Sequence, residues 1–397
     1  VSSELVELPP QFRPRPLEIA CGLALGVDDQ SDALLVRGAP PARSVLEAAV
    51  RQALVRPPCL VSFSGGRDSS AVLAMATAVA RRDGLAPPIP ITYRFAAAPG
   101  SREDEWQEQV VRHLGLREWE RLPMNAELDA VGPVAQAVLR RHGVLWPFNA
   151  HFHQPLLDRA SGGSLLTGIG GDELFARQLW SSARCLLGGR AGRSAEGDRS
   201  GGRPKVRARS VALAVAPVPV RRWAVARRRR LHFPWLRPGA AATVHRNLDD
   251  WRARTPIAWP AALGWWWRSR HRTMLTATMA MLATAAGTEI VHPFLDRRVV
   301  AAVAWQFGRS GPGDRSSAMR VLFADLLPEA LLTRRSKAHF DEAFVSEYSR
   351  DFGSGWTGAG VDSALVDAER LAAEWRSERP DARSLLLMQA AWLSSPQ

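Results

Sequence analysis

Three short stretches carry the residues able to do chemistry. "SFSGGRDSS" places Ser62, Ser64, Gly65, Gly66, Asp68, Ser69 and Ser70 in one turn. Paired glycines reach backbone angles closed to other residues and let a ligand approach the main chain. A helix starting at such a turn points free N–H groups and its positive dipole end at the same space. The serine hydroxyls add donors. Asp68 would repel a bare phosphate, so its chemistry there is that of a magnesium ligand. The same residues also suit a tight corner with Asp68 or Ser69 as helix cap, and the stretch alone fits both readings. No Gly-Lys-Ser/Thr follows, which excludes the common P-loop.

"LLTGIGGDELFA" (Leu165–Ala176) has the same character: Gly168, Gly170 and Gly171, then the carboxylates Asp172 and Glu173. Asp172 suits a helix N-cap, and Glu173 a supporting role. The third stretch is "MRVLFADLLPEALLTRRSKAHF" (Met319–Phe340), with Arg320, Arg335 and Lys337. A lone lysine is most often a solvated surface charge, and Lys337 shares the chain only with Lys205. Glu103, Asp104 and Glu105 suit either a site or a helix start. His151 and His153 form a pair without a third metal ligand, as core or surface histidines do.

These stretches need positioning elements. Ser44 and Glu47 fit a capping box, and Leu46, Val50, Ala53 and Leu54 keep helical spacing until Pro57 and Pro58. Cys59–Phe63 reads as a buried strand and Ala71–Arg82 as a helix. Strand Ile89–Phe95, helix Glu103–Leu114, strand Glu118–Leu122, helices over Ala126–Arg141 and Ala150–Ala160, and strand Ser164–Thr167 follow. Such alternation predicts an α/β fold: a parallel twisted sheet with helices on both faces. From Thr243 the chain is mostly helical. Four regions result: an irregular Pro-rich segment 1–40, an α/β core 41–180, a basic Trp/Arg-rich insertion 181–245 with a solvated loop at 188–210, and a helical part 246–397.

The chain has 397 residues, 46% of them apolar, enough for a sizeable core. No apolar run approaches the ~20 residues that span a bilayer, so no transmembrane segment is expected. The start lacks the basic-then-apolar order of a signal peptide. Cys21, Cys59 and Cys185 stand at unrelated spacings, which predicts no disulfide frame or zinc site. A cytoplasmic protein is expected. The net charge of +13 attracts anions. Basic residues interleave with Trp and Phe over Arg221–Arg237, as on a nucleic-acid surface or a solvated basic face.

Together the motifs resemble the synthetase domain of asparagine synthetases and their amide-forming relatives, in the ATP-pyrophosphatase superfamily. "SFSGGRDSS" looks like the SGGxDS pyrophosphate loop, and "LLTGIGGDELFA" like "SGEGADELFGGY". "GTEIVHPFLDRRVV" (Gly287–Val300) resembles "GLEARVPFLDHxLV", and Met319–Phe340 resembles "LRxAxxxxLPxxIxxRxKxxF". The four occur in order over Leu60 to Phe340. The resemblance implies an adenine nucleotide α-hydrolase-like fold, with ATP and Mg2+ as cofactors. It implies that Asp68 and Asp172 hold the metal, and that Lys337 meets the pyrophosphate, helped by Arg320. It implies nucleotide contacts from Ser62, Ser64, Gly65, Gly66, Ser69, Ser70, Gly168, Gly170, Gly171 and Glu173. Glu289 keeps the family's acidic position, and Pro293, Phe294, Leu295 and Asp296 are structural.

The chain also departs from that pattern. Too few residues precede Ser64 for a glutamine-hydrolysing domain, and Val1 stands where that domain needs a cysteine, so segment 1–40 reads as its remnant. Ile169 replaces the Glu of "GEGADE". The only tyrosines are Tyr93 and Tyr348, so the Tyr–Glu pair of β-lactam synthetase is not evident. Adenylation is left intact and the amine-receiving step is changed. "TGIGGDEL" and "FPWLRPGA" (Phe233–Ala240) resemble lasso-peptide macrolactam synthetases. That resemblance implies a precursor peptide with an Asp or Glu acceptor, a leader-binding protein and a leader peptidase as partners, and no nucleic acid. An asparagine synthetase-like enzyme using ammonia, and a tRNA-modifying relative, are the competing expectations.

Overall fold

A computed structural model describes residues 7–29, 31–34, 36–95, 103–175, 212–227, 230–334 and 341–395. Five strands form its sheet: β1 (Cys59–Ser62), β2 (Ile89–Phe95), β3 (Glu120–Met124), β4 (Ser164–Leu166) and β5 (Glu289–Val291). Their order is β3-β2-β1-β4-β5, and every neighbouring pair is parallel. The expected α/β class is thus observed.

Strand residues alternate between the two faces, as a period of two requires. Cys59, Val61, Phe63 and Leu166 enter a core built with helices Ala42–Leu54, Arg67–Asp83, Arg297–Phe307 and Arg315–Phe323. Leu60, Ile91, Leu122 and Leu165 enter the opposite core, with Val138, Leu157 and the helix Arg270–Ala285. Both faces are covered, which explains why the central strands read as unbroken apolar runs. A third core joins the C-terminal helices to residues near the N-terminus, around Trp235, Trp375 and Leu385.

The chain lays down β1, β2 and β3 outward in one direction, then returns to place β4 on the other side of β1. The loops leaving the carboxyl ends of β1 and β4 therefore lie side by side. Open parallel sheets bind ligands at this kind of reversal. Both glycine motifs sit there.

Several element boundaries differ from expectation for identifiable reasons. The first core helix starts at Ala42 after Pro41, without a side-chain cap. The Ala42 N–H donates to Gln306 Oε1 (3.0 Å), so the capping box at Ser44 and Glu47 does not form. Glu47 instead pairs with Arg43 and Arg82. The second helix starts at Arg67, directly after Gly66. The third strand begins at Glu120, two residues late, with the Trp119 Nε1–H donating to Thr92 Oγ1 (3.0 Å). Helix formation over 126–132 is lost to Asp129. Its buried carboxylate accepts from Val131 N (2.9 Å), Ser346 N (2.6 Å) and Ser346 Oγ (2.7 Å), and the helix starts at Pro133. Strand β5, inside the Gly287–Val300 motif, went unpredicted because three half-buried residues show no period.

The segment before residue 40 contains a helix, Pro16–Cys21, anchored by a buried ion pair. Glu18 and Arg270 are 1% and 5% exposed. The Arg270 guanidinium donates to both Glu18 oxygens at 2.9 Å and to the carbonyls of Gln11 (2.9 Å) and Arg13 (3.3 Å). Glu18 also accepts from the backbone N–H of Arg15 and Leu25, each at 2.9 Å. Every charge here is matched, so removing one partner leaves the other uncompensated. Glu18→Ala should lower the unfolding free energy by about 3–5 kcal/mol. Asp325→Ala, which breaks an exposed pair with Arg43, should cost less than about 1 kcal/mol. Urea titration of the two variants side by side checks the difference.

Candidate active site

The β1 loop is built to hold its shape. Gly65 lies at φ 85°, and a Cβ there would fall 2.7 Å from Gln107 Cγ, so both angle and space demand glycine. Ser64 Oγ accepts from the Gly66 N–H (3.3 Å) and shares a proton with Ser69 Oγ (3.2 Å); Ser69 Oγ also donates to the Gly66 carbonyl (3.2 Å). Two loop carbonyls are drawn back into the protein. Gln107 Nε2 donates to the Ser64 carbonyl (2.9 Å) and Arg334 to the Gly65 carbonyl (3.0 Å). That removes negative ends of peptide dipoles from the space an anion would occupy.

Arg334 is 7% exposed. It is held in bidentate fashion by Glu103, one contact being 2.6 Å, and lies over the Trp106 ring. Asp104 pairs with Arg94, and Glu105 is exposed. The three acids therefore separate: Glu103 supports the loop, Asp104 braces the second strand and Glu105 faces solvent.

The β4 loop is pressed against the first turn of the Arg67–Asp83 helix. A Cβ on Gly168 would fall 2.8 Å from Ser69 N, and one on Gly171 would overlap the Asp68 carboxyl. Gly170 has φ 95°, and a Cβ there would fall 2.6 Å from Leu295 Cδ2. Thr167 ties the loop's base to β5. Its N–H donates to the Val291 carbonyl (3.1 Å) and its hydroxyl meets His292 Nδ1 (2.6 Å).

This nesting brings Asp68 and Asp172 together. One guanidinium, Arg315, bridges them, with one nitrogen on each carboxylate. Asp68 is 17% exposed and Asp172 52% exposed. Burial pushes the Asp68 carboxyl above its ordinary range, with Arg315 opposing. Burial works against the Arg315 charge, but the two aspartates outweigh it and hold the guanidinium protonated. Burial, then the nearby Arg315, lowers Arg67. Asp68 Oδ1 is buried without a hydrogen-bond partner. Such an orphan lone pair, beside a second carboxylate already gathered around a cation, fits a hard metal ion. Among the described residues no group of three His, Cys, Asp or Glu side chains could hold a metal, so phosphate oxygens or water would complete the shell.

The remaining expected residues divide. Ser62 and Ser64 line a cavity of about 180 Å³ at the carboxyl ends of β1 and β2, with Thr92, Tyr93, Gln107 and His153. Ser69 and Ser70 are buried in the helix start. Glu173 sits beside Asp172, its Oε1 3.7 Å from His271 Nε2. Arg320 is not brought to the carboxylates. It pairs with Glu329 (2.6 Å) on the exposed side of the helix whose first residue is Arg315. Lys337 and Arg335 lie outside the described residues, as does the stretch 188–210. Glu289 pairs with Arg56 (2.7 Å) at the opposite rim of the sheet. Leu295 packs on Gly170, and Asp296 caps the next helix through the Arg298 N–H (2.7 Å). His151 has both ring nitrogens beside carbonyls, of Leu128 (2.9 Å) and Phe148 (3.2 Å), in the core. Burial pushes His153 down to about 4 and His292 down to about 3.

Arg315 and Arg334 went unrecognised in the sequence. Arg334 neighbours Arg335 inside the third stretch, so only its burial distinguishes it. Arg315 stands five residues before Arg320, outside any motif.

Glycine turns nested at the reversal point of an open parallel sheet, with two carboxylates facing each other between them, define a nucleotide-binding α/β enzyme. The chain belongs to the asparagine synthase family, whose profile matches residues 42–394. Membership carries the coarse activity with it: ATP-dependent formation of a carbon–nitrogen bond. Among curated proteins none matches the sequence. Among solved structures, NAD+ synthetase from Burkholderia pseudomallei is similar at 14% identity, over 64% of this chain and 91% of that one, with a TM-score of 0.24. Among the described residues no helix is long and apolar enough to cross a membrane.

The contact of Gly171 with Asp68 is directly testable. Gly171→Ala must push the β4 loop off the helix start. ATP-dependent turnover should fall at least about 10²-fold, the usual scale for a misplacement of about 1 Å. The melting temperature should fall by only a few degrees, as about 1 kcal/mol implies. Steady-state kinetics and a thermal melt measure both.

Proposed function

We propose that this protein adenylates an Asp or Glu side chain of a precursor peptide and joins it to the peptide's own α-amine, closing the macrolactam of a lasso peptide. The observation that carries the activation half is the Asp68–Asp172 pair, gathered by nested glycine loops around a single cationic centre. Arg315 occupies that centre. Mg2+ would be held there by Asp68 and Asp172, and when bound it would neutralise charge on the ATP phosphates. Arg315 would then swing onto the phosphates or the carboxylate being activated. Ser64, Gly65, Gly66 and Ser69 offer hydroxyl and backbone donors to the leaving pyrophosphate, and Lys337 would add its charge. Arg334 and Gln107 keep the Gly65 and Ser64 carbonyls withdrawn.

Support for a peptide substrate is of a different kind. It rests on the resemblance of "TGIGGDEL" and "FPWLRPGA" to lasso-peptide enzymes and on the basic insertion. Helix Val218–Ala226 and helix Pro238–Arg254 enclose an open groove lined by Arg222, Trp223, Arg230, Arg246 and Arg254, with Asp249 and Asp250. Trp223 is 56% exposed. Such a surface suits a chain with acidic and apolar residues. The "FPWLRPGA" segment works from within: Trp235 is fully buried and its Nε1–H donates to the Ala20 carbonyl (2.8 Å). Its part is to join the N-terminal helix to the C-terminal core. A leader-binding protein and a leader peptidase would act on the same precursor.

Folding of the precursor would hold amine and activated carboxylate together, and such proximity supplies much of the rate. The test is incubation with ATP and Mg2+ and either a linear peptide bearing a free α-amine and one Asp or Glu side chain, or aspartate plus ammonia. A peptide product lighter by one water, with AMP and pyrophosphate, is expected. Asparagine would overturn the macrolactam reading and favour the simpler synthetase. Asp68→Asn and Asp172→Asn should each lower pyrophosphate release at least about 10²-fold with an unchanged circular dichroism spectrum. Full activity in either variant would remove the metal assignment.

A further inference from the structure

The amide-forming reading leaves one chemical task without an owner. An amine that attacks an activated carboxylate must lose a proton. Position 169, acidic in the family motif, is Ile169, packed in the apolar cluster with Leu275, Met279 and Leu295. Most acids near the site are engaged. Asp68 and Asp172 share Arg315, Glu103 holds Arg334, Asp104 pairs with Arg94, and Glu289 lies at the far rim. The Tyr93 hydroxyl donates to the Phe152 carbonyl (2.5 Å). His151 is fixed between two carbonyls, and His292 meets Thr167.

Beside the carboxylate pair, Glu173 and a histidine, His271, face each other. Glu173 directly follows Asp172, and its Oε1 lies 3.7 Å from His271 Nε2, with 33% and 41% of the two side chains exposed. That distance is longer than a hydrogen bond and within reach of one after a small rotation. His271 is well braced. The Trp146 ring meets it edge-on, centroids 5.8 Å apart. Its neighbours on the Arg270–Ala285 helix are locked: Arg270 by Glu18, and Arg272 by the Trp267 carbonyl (2.5 Å) and Ser31 Oγ (2.8 Å). A half-exposed imidazole on a fixed backbone, one residue's width from a metal-binding carboxylate, is placed for proton transfer.

We propose that His271 is the catalytic base of the amine-transfer step and Glu173 the residue that positions it; this rests on the amide-forming reading above. Glu173 holds the Nε2–H tautomer, which leaves Nδ1 to accept a proton. As the amine nitrogen bonds the acyl carbon, the bond from that carbon to the AMP phosphate oxygen breaks. AMP leaves with the electron pair, and the surplus N–H proton passes to His271 Nδ1. The charge on the imidazolium is balanced by Glu173.

Hydroxylamine separates this step from activation. It is a strong nucleophile, largely unprotonated at neutral pH, and traps an activated carboxylate as hydroxamate without a base. The full chain is given ATP, Mg2+ and linear peptides with a free α-amine and one Asp or Glu side chain at varied spacing, with and without hydroxylamine. In His271→Gln and His271→Ala the ratio of cyclised peptide to hydroxamate should fall by roughly 10²-fold or more relative to the unmutated protein. Glu173→Gln should lower it less, and added imidazole should restore part of the ratio in His271→Ala. Hydroxamate formation also reports that each variant is folded. An unchanged ratio, or loss of both products in proportion, would overturn the assignment to His271. Absence of both products in the unmutated protein with every peptide would overturn the peptide reading and this inference with it.

Discussion

The structure depends on one close approach. Two loops from neighbouring parallel strands meet so tightly that a single methyl group at Gly168 or Gly171 would collide with the start of the Arg67–Asp83 helix. Only because those side chains are absent can Asp68 and Asp172 share one guanidinium. The approach depends in turn on strand order. Placing β4 beside β1, after β2 and β3 have been laid down on the other side, makes the two loops neighbours. Gly65 and Gly170 answer to conformation, at φ 85° and 95°. Gly168 and Gly171 answer to space. Glycines in the two motifs thus serve different physical needs, although they look alike in the sequence.

Electrostatics around this contact are arranged in advance. Asp68 is buried enough that desolvation favours its neutral form, and Arg315 keeps it usable as a carboxylate. A buried charge must be paired or its pKa shifts. A cation, Arg315, therefore stands between the two carboxylates. Arg334 performs a separate task nearby. Locked by Glu103, it also donates to the Gly65 carbonyl, which ties the loop to a buried ion pair.

How much of this could be read from the sequence follows from the range of the interactions. The sheet class was legible because alternating strands and helices are local patterns, whereas the two glycine motifs taken singly suited helix caps as well, and the association of Asp68 with Asp172 came from the resemblance that joins them. The start of the first helix was misread because the Ala42 N–H finds Gln306, a partner distant in the chain. Asp129 broke an expected helix through bonds to Ser346 and Ser349, which no local pattern announces. Arg315 and Arg334 were hidden for the same reason. An arginine's role is set by which carboxylate the fold brings to it, and this chain has many arginines. Arg320 shows the reverse: it stands in a motif, yet its partner is Glu329 on the exposed side.

The replacement at position 169 can be understood through packing. Ile169 lies against Leu275, Met279 and Leu295, and its own N–H donates to Thr167 Oγ1 (3.3 Å). A glutamate in that apolar setting would lose its hydration without a cationic partner among those neighbours, and burial would raise its pKa. An acid there would be biased toward its neutral form. The acid that the motif retains four residues along is Glu173, whose carboxylate is a third exposed and faces an imidazole. That imidazole is held by the helix that Glu18 anchors through Arg270. The N-terminal segment thereby braces the imidazole from one side, while Glu173 reaches it from the β4 loop, directly beside Asp172. The two carboxylates at 172 and 173 thus face different partners in the fold, Arg315 and the His271 ring, from one short turn.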